Sequence, residues 1–371
     1  MRILLVGEYS SVHCALATGL RSRGHEVTVV SGGDSWKNYP RDIDLYHRPT
    51  LVGHISFALR VLAALPRMRG YDIVQLINPV FLEMRAEPHR FIFDYLRKHN
   101  RRVVLGAFGM DYYWMQVNRD IHPMRYSDFN IGDTVRTDEV AMRYIRVWSD
   151  TTAGRLSIYV AEQADAIVAG LYEYWITYTM AENGALAGKT TFIPFPIDGT
   201  PTHDVPNDRP LLPLRIFVGI SRGRSAYKGT DIMLRAAQRL QCRYPDKVVL
   251  RIAEGIPFDE YQRMMDGSDL ILDQLYSYTP AMNALLAMSK GIVCVGGGEP
   301  EHYDLLGEHE LHPIINVQPN EDSVYHELER LVLHPELLPE LKRQSKEYVR
   351  RHHDVQKVAE LYEQLYRQLL R

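Results

Sequence analysis

The chain has 371 residues, a length that favours two domains of ordinary size over one compact core. Its 43 basic and 46 acidic side chains give a formal net charge of -3, and 46% of its residues are hydrophobic. This balance is typical of a globular protein, and it argues against a nucleic-acid partner or a charged tail.

The cysteines and the first residues predict a cytoplasmic location. Cys14, Cys242 and Cys294 are far apart and lack the paired spacing of a metal site or a redox motif, so we expect reduced thiols. The chain opens directly on the strand-like run MRILLVG, without the regions of a secretion signal. No apolar run approaches the length of a membrane span.

The first half alternates strand-like and helix-like patterns. Residues 2–6 form a β-branched and leucine-rich run, helical spacing follows up to Gly24, and residues 27–30 form the next strand. This β-α-β unit is typical of a parallel sheet covered on both faces, and 72–76, 102–105 and 166–169 predict further strands. Two prolines within 192–198 and four within 200–213 predict an extended connector and then a domain boundary.

The second half repeats the alternation. Strands are predicted at 214–218, 248–253, 270–272 and 291–295, and helices at 230–243, 281–289 and 322–333. The predicted class is therefore α/β, with two Rossmann-like doubly wound domains, 1–197 and 198–353, facing across a cleft. Residues 354–371 form an amphipathic helix that needs a surface to pack on, for which the first domain is the candidate.

The segment GISRGRSAYKGTD, residues 219–231, joins a predicted strand to a predicted helix. Arg222, Arg224 and Lys228 place cations at this sheet edge, where Gly219 lets the backbone approach a ligand closely. The pattern suits a pyrophosphate group, although a solvated surface loop would show the same residues.

Two further strand ends are expected to meet that segment. Residues 275–288 lead from a buried strand into a helix, and glycines with two carboxylates follow the strand that ends at Val295. A flexible turn is the alternative explanation for these glycines. The predicted donor-binding residues are Gly219, Arg224, Tyr278, Thr279, Ala281, Met282, Asn283, Gly298, Glu299 and Glu301.

These segments together resemble motifs of the retaining GT-B glycosyltransferases of family 4, or group 1. Residues 219–231 resemble the G-R…K-G-x-D segment, 287–293 resemble the E-A-M-A-x-G-x-P-V helix and strand, and 297–301 resemble G-G-x-P-E. The resemblance covers nearly the whole chain and implies a nucleotide-diphosphate sugar donor whose diphosphate Arg222 and Lys228 hold. It also implies a glycan or lipid-linked acceptor, retained anomeric configuration, and no metal or other cofactor.

One departure from the family pattern concerns two glutamates separated by seven residues, one near the donor sugar and one at the ribose. Tyr278 and Leu286 stand at the matching positions. Because leucine cannot accept a hydrogen bond, the ribose needs another acceptor, and we expect Asn283, Glu299 or Glu301 to replace it.

The first domain is expected to bind the acceptor and cover the sugar. The loop after the first strand and another strand end supply the predicted acceptor contacts, Gly7, Ser10, Ser11 and Asn78, with Ser10 or Ser11 capping the next helix. His13 is predicted either as a catalytic base or as a buried structural histidine. Asp111, in an aromatic setting, is predicted as the other catalytic contact of this domain.

The remaining expectations concern partners and class. Arginines around 57–65 and 91–93 fit peripheral contact with the inner membrane, although ordinary amphipathic helices are the commoner explanation of this pattern. The predicted activity is sugar transfer in bacterial surface polysaccharide synthesis. A GT-B epimerase or phosphorylase, and a catalytically silent GT-B partner protein, remain open as alternatives.

Overall fold

The computed structural model describes residues 1–48, 50–199, 210–221 and 223–371. The strands are β1 Arg2–Val6, β2 Glu26–Ser31, β3 Ile43–Asp44, β4 Ile73–Leu76, β5 Arg102–Ala107, β6 Asn130–Ile131, β7 Thr134–Val135, β8 Ala166–Ala169, β9 Thr190–Phe192, β10 Leu214–Ile220, β11 Val248–Glu254, β12 Leu270–Leu272, β13 Val293–Gly296 and β14 Ile315–Asn316.

The α-helices alternate with these strands over most of the chain. They are α1 Val12–Ser22, α2 Leu51–Ala64, α3 His89–His99, α4 Tyr112–Asp120, α5 Glu139–Trp148, α6 Thr152–Gln163, α7 Tyr172–Met180, α8 Ser225–Lys228, α9 Thr230–Arg243, α10 Phe258–Met265, α11 Met282–Ser289, α12 Pro300–Leu306, α13 Glu321–Leu333, α14 Leu338–His352 and α15 Val355–Leu370.

The first compact unit comprises Met1–Pro123, Arg143–Asp198 and Val355–Arg371. Its parallel sheet has the order β3-β2-β1-β4-β5-β8-β9. β4 and β8 are buried along their whole length, as expected for apolar strands covered on both faces. The order reverses between β1 and β4, and such a switch point opens a crevice at the carboxyl ends of the strands.

Helix α15 packs within this first unit. Its side chains Tyr362 and Tyr366 are fully buried, and the Tyr366 hydroxyl donates to Gln75 Oε1 on β4 at 2.6 Å. A Cβ atom at Gly19 of α1 would lie 2.5 Å from the Val355 carbonyl oxygen, so the glycine allows the two helices to approach closely.

The second unit comprises Met124–Met142 and Gly199–Asp354. Its five-stranded parallel sheet has the order β11-β10-β12-β13-β14, with apolar side chains of β10, β12 and β13 in one core with α9 and α13. Residues 124–142, which carry the short antiparallel pair β6 and β7, lie within the segment that the sequence prediction gave to the first domain. The two parallel sheets confirm the predicted α/β class.

Candidate functional site

The loops that follow β10, β12 and β13 meet at the carboxyl edge of the second unit's sheet. The backbone N–H of Leu275 donates to the Lys228 carbonyl at 2.9 Å, and that of Glu299 donates to the Tyr278 carbonyl at 3.2 Å. A Cβ atom at Gly297 would lie 1.7 Å from the Ser277 carbonyl oxygen, so only glycine permits this approach. The structure thus brings together the three segments that the sequence predicted as one site.

A tyrosine that sequence reasoning missed connects two predicted contacts. A Cβ atom at Gly219, near the end of β10, would lie 2.3 Å from the hydroxyl oxygen of Tyr261 on α10. Asn283 on α11 donates from Nδ2 to that hydroxyl at 2.9 Å. The Asn283 amide therefore has a partner inside the protein, and a larger residue at position 219 would displace Tyr261.

The cations predicted to hold a diphosphate have different surroundings. Arg222 lies outside the described residues. Arg224 is exposed, and its guanidinium lies 5.6 Å from the centroid of the Tyr227 ring. Lys228 is half-buried at the last position of α8, and Gly229 follows it in the left-handed conformation at φ 71°.

Glu299, a predicted replacement for the ribose acceptor, is bound by side chains of the protein itself. Its Oε1 accepts from the Tyr126 hydroxyl at 2.6 Å and from Gln318 at 3.1 Å, while its Oε2 pairs with Arg125 at 2.6 Å. Burial alone would raise its pKa, but these hydrogen bonds and the Arg125 cation hold the pKa below its ordinary value. In this arrangement Glu299 is ionised, and its carboxylate already accepts from three side chains of the protein.

Arg125 also contacts two other residues predicted to bind the nucleotide-sugar donor, Tyr278 and Glu301. Its guanidinium pairs with Glu301 and lies 5.0 Å from the Tyr278 ring centroid, and its backbone N–H donates to the Tyr278 hydroxyl at 2.6 Å. Burial raises the pKa of Tyr278 to about 12, so its hydroxyl stays protonated at neutral pH.

Arg125 and Tyr126 belong to residues 124–142, here called the strap. Besides the loop after β13, the strap contacts the loop after β10, where Tyr227 donates from its hydroxyl to Asp128 at 2.6 Å. It also contacts the loop after β12, where the Arg136 guanidinium lies 3.7 Å from the Tyr276 ring centroid. Sequence reasoning missed the strap, although Gly132, at φ 56°, is a turn signal between β6 and β7.

His13 in the first unit has the buried structural position that the sequence left open. The side chain is fully buried, with Nδ1 2.8 Å from the Gly7 carbonyl oxygen and Nε2 3.3 Å from Gln75 Nε2. Burial lowers its pKa to about 4, so the imidazole is neutral near pH 7. The His13 side chain has no access to solvent in this arrangement. Its catalytic role stays a prediction.

We expect the buried, neutral His13 to make unfolding pH-dependent. Its native pKa of about 4 is below the ordinary 6.5, so between these values the unfolded chain binds a proton that the native state does not. The free energy of unfolding therefore decreases as the pH is lowered through this window. Denaturant titrations between pH 6.5 and 4.5 measure how steeply the free energy of unfolding depends on pH. This slope should be smaller by about 1 kcal/mol per pH unit for His13→Gln than for the original chain.

The pH dependence of the free energy of unfolding is compared, and not its absolute value. A general loss of stability in His13→Gln therefore does not affect the result. Glu8 opposes the effect, because burial raises its pKa to about 7 and its protonated form is favoured in the native state. Glu8 is present in both chains and cancels in the comparison. Equal slopes would contradict the neutral assignment of His13.

Asp111 is also fully buried and has local partners. It caps α4 by accepting from the Trp114 backbone N–H at 2.8 Å, and it accepts from the Tyr178 hydroxyl at 2.5 Å. Burial raises its pKa to about 6. These contacts give Asp111 a structural task, and contact with a substrate stays a prediction.

The predicted cap of α1 is corrected by the structure. Ser11 occupies the N-cap position but makes no side-chain capping bond, and Ser10 accepts from Lys37 Nζ at 2.9 Å. Instead, the Glu8 carboxylate accepts from the backbone N–H of His13 at 3.3 Å and of Cys14 at 2.8 Å. Both serines have positive φ, which moves their side chains out of capping geometry.

A cavity of about 820 Å³ lies at the carboxyl ends of β1, β2 and β4, beside the switch point of the first sheet. Its lining includes Gly7, Glu8, Gly32, Phe57, Phe81 and Glu83. Of the predicted acceptor contacts, Gly7 lines this cavity, whereas Asn78 donates to the Met110 carbonyl at 3.3 Å and accepts from the Val80 N–H at 3.2 Å. Aromatic and carboxyl groups together are suited to a saccharide.

Helix α2 presents apolar side chains to solvent on the face opposite Phe57. Val52, Ile55, Leu59 and Leu62 are all more than half exposed. No helix in the described part of the chain combines the length and apolar character needed to cross a membrane. Across the same described ranges, no group of three or more His, Cys, Asp or Glu side chains is arranged to hold a metal ion.

A scan against protein-family models and a search of curated proteins give no match. Solved structures are similar over the whole chain. HepE from Anabaena in complex with UDP and glucose is 14% identical over 99% of this chain and 100% of its own, with a TM-score of 0.61. Sucrose-phosphate synthase from Thermosynechococcus elongatus is 15% identical over 100% of this chain and 99% of its own, with a TM-score of 0.58.

The catalytic domain of starch synthase IV from Arabidopsis thaliana, bound to ADP and acarbose, is 13% identical over 100% of this chain and 99% of its own, with a TM-score of 0.60. At such identities the likeness establishes the architecture and not the substrate. The comparisons confirm the predicted resemblance at the level of fold: the chain has the two-domain GT-B fold.

Proposed function

We propose that the protein is a glycosyltransferase that moves a sugar from a nucleotide-diphosphate donor to a glycan or lipid-linked saccharide acceptor. The observation that carries the proposal is the convergence of three loops at the carboxyl edge of the second sheet, with Lys228 and close-approach glycines among them. The fold supports it, because similar structures contain UDP with glucose in HepE and ADP with acarbose in starch synthase IV.

The proposed chemistry is stabilisation of a leaving group. Breaking the glycosyl-phosphate bond leaves additional negative charge on the nucleoside diphosphate, and donors already in position at that oxygen contribute on the order of 3 to 4 kcal/mol each. We assign this task to Arg222 and Lys228, with retained anomeric configuration and no bound metal. Transfer assayed with and without EDTA tests metal independence, and NMR of the product anomer tests retention.

The acceptor is assigned to the first unit's cavity beside Glu8 and Glu83. We further propose a cytoplasmic protein of bacterial surface polysaccharide synthesis that contacts the inner leaflet through α2. The exposed side chains Leu59 and Leu62, with basic residues nearby in the sequence, support this contact. Co-sedimentation with vesicles of 30% anionic lipid should be reduced in the double variant L59S/L62S, and binding equal to the original chain would contradict it.

A first experiment measures thermal unfolding with UDP, GDP, dTDP and ADP. A ligand that binds only the native state raises the melting temperature, so one of the four is expected to do so. Incubation with the matching nucleotide sugar, with and without a glycan acceptor, then separates transfer from epimerase or phosphorylase activity. No shift with any nucleotide would contradict the proposed donor site.

Replacing Lys228 by alanine is expected to weaken nucleotide binding. A hydrogen bond to a charged group contributes roughly 1.5 to 3 kcal/mol, which corresponds to a rise in Kd of roughly 10- to 150-fold by calorimetry. Lys247→Ala is the matched control, because Lys247 is exposed and precedes β11 at the amino edge of the same sheet. Equal affinities for both variants would contradict the assignment of Lys228 to the diphosphate.

A catalytically silent GT-B protein is the second candidate, and one observation favours it. Tyr278 and Leu286 stand at the two glutamate positions of the resembled family, and the substitute acceptor Glu299 is occupied by Arg125 and Tyr126. Such a protein would bind nucleotide but neither hydrolyse nor transfer the sugar. Hydrolysis of the nucleotide-sugar donor above the uncatalysed rate would contradict the silent protein and support the enzyme.

A further inference from the structure

One arginine of the strap has a buried side chain that contacts two of the site's loops. The Arg136 side chain is 8% exposed and its Nη2 lies 3.0 Å from Asp138 Oδ2. The guanidinium donates to the carbonyl oxygens of Ala226 at 3.2 Å and Tyr227 at 3.3 Å, and it stacks on Tyr276. One side chain therefore contacts the loop after β10 and the loop after β12 together.

Those contacts surround the backbone of Lys228. Its preceding residue, Tyr227, is held by Arg136 through the carbonyl and by Asp128 through the hydroxyl. The Lys228 carbonyl accepts from Leu275, and a Cβ atom at Gly229 would lie 2.5 Å from Leu275 Cβ. Lys228 is thus confined on one side by the strap and on the other by the loop after β12.

We propose that Arg136 is a positioning residue of the nucleotide site, which acts by holding the two loops so that Lys228 meets the diphosphate. This inference rests on the proposed function. A guanidinium is required because it is planar and can stack on an aromatic ring while its N–H groups donate in its own plane. The ammonium of a lysine has no such plane and cannot make both sets of contacts.

The test is a double-mutant cycle in nucleotide affinity. UDP, GDP, dTDP and ADP are titrated by calorimetry into the original chain, and the tightest is carried through Arg136→Ala, Lys228→Ala and the double variant. Arg136→Ala should raise Kd tenfold or more. Because Arg136 acts through Lys228, introducing Arg136→Ala into the Lys228→Ala variant should raise Kd by a further factor of less than two.

Two further variants separate positioning from general stability. Arg136→Lys keeps the charge and should bind almost as weakly as Arg136→Ala. Arg239→Ala is the matched control, because Arg239 also stacks on a tyrosine, at 4.2 Å from the Tyr325 ring centroid, and pairs with Asp322 at 2.9 Å, but it lies on α9 and away from the three loops. It should change Kd less than twofold.

Asp128→Ala decides the matter if Arg136→Ala does not fold. It removes the acceptor of the Tyr227 hydroxyl and should raise Kd twofold to fivefold, and an unchanged Kd in a folded Asp128→Ala protein would then overturn the inference. Unchanged affinity in folded Arg136→Ala, or losses that multiply in the double variant, would overturn it as well. If the original chain binds none of the four nucleotides, the proposed function fails and this inference with it.

Discussion

Replacing Gly297 by alanine should separate the loops of the candidate site and lower the free energy of unfolding by about 3 kcal/mol. The added Cβ, whose position is fixed by the backbone, would lie 1.7 Å from the backbone carbonyl oxygen of Ser277, so no side-chain rotation can relieve the clash. Forcing extra atoms into a close-packed position typically costs about 1 to 3 kcal/mol, and this contact is at the severe end. The same displacement should abolish measurable nucleotide binding.

Denaturant unfolding and calorimetry check both parts of this prediction. Gly188→Ala is the matched control, because a Cβ atom there meets nothing within 4 Å, and we expect its stability to change by less than about 0.5 kcal/mol. A Gly297→Ala protein with unchanged stability and affinity would show that the loops after β12 and β13 are not in contact as described.

Replacing Asp111 by alanine is expected to lower the free energy of unfolding by about 2 to 4 kcal/mol. The change removes the cap of α4, which contributes about 1 kcal/mol, and leaves the buried Tyr178 hydroxyl without its acceptor, which costs roughly 1 to 3 kcal/mol more. Denaturant titration monitored by tryptophan fluorescence measures the loss.

Asp111→Asn distinguishes the structural task from a catalytic one. Asparagine keeps an acceptor oxygen for the Trp114 N–H, and its amide NH2 can donate to the Tyr178 hydroxyl oxygen, so this variant should lose less than half as much stability. If Asp111 only caps and packs, Asp111→Asn should retain transfer activity within about twofold. A stable but inactive Asp111→Asn protein would restore the predicted catalytic role.

The sheets of both units could be predicted because buried parallel strands have a strong local signature. The apolar run at 270–272 and the mostly apolar run at 214–218, interrupted by Arg215, match β12 and β10, and the helical period at 230–243 matches α9. Parallel strands end at one edge, so the meeting of their following loops could be predicted from strand positions alone.

The strap could not be predicted in this way. β6 and β7 contain two residues each, too few for a period, and the strap attaches through polar contacts between residues distant in sequence, such as Arg136 and Tyr227, which are 91 positions apart. Glu299 illustrates the consequence. Its place beside the site follows from β13, but its pairing with Arg125 and Tyr126 depends on where the strap docks.

Local patterns of apolar residues and glycines, by themselves, determined the α/β class, the positions of the main strands and the segments that form the candidate site. Only the tertiary structure decided which polar groups in that site are already bound, and that His13 and Asp111 are buried. The reason is that apolar periodicity is read over neighbouring residues, whereas hydrogen-bond partners and desolvation depend on side chains that folding brings together from distant parts of the chain.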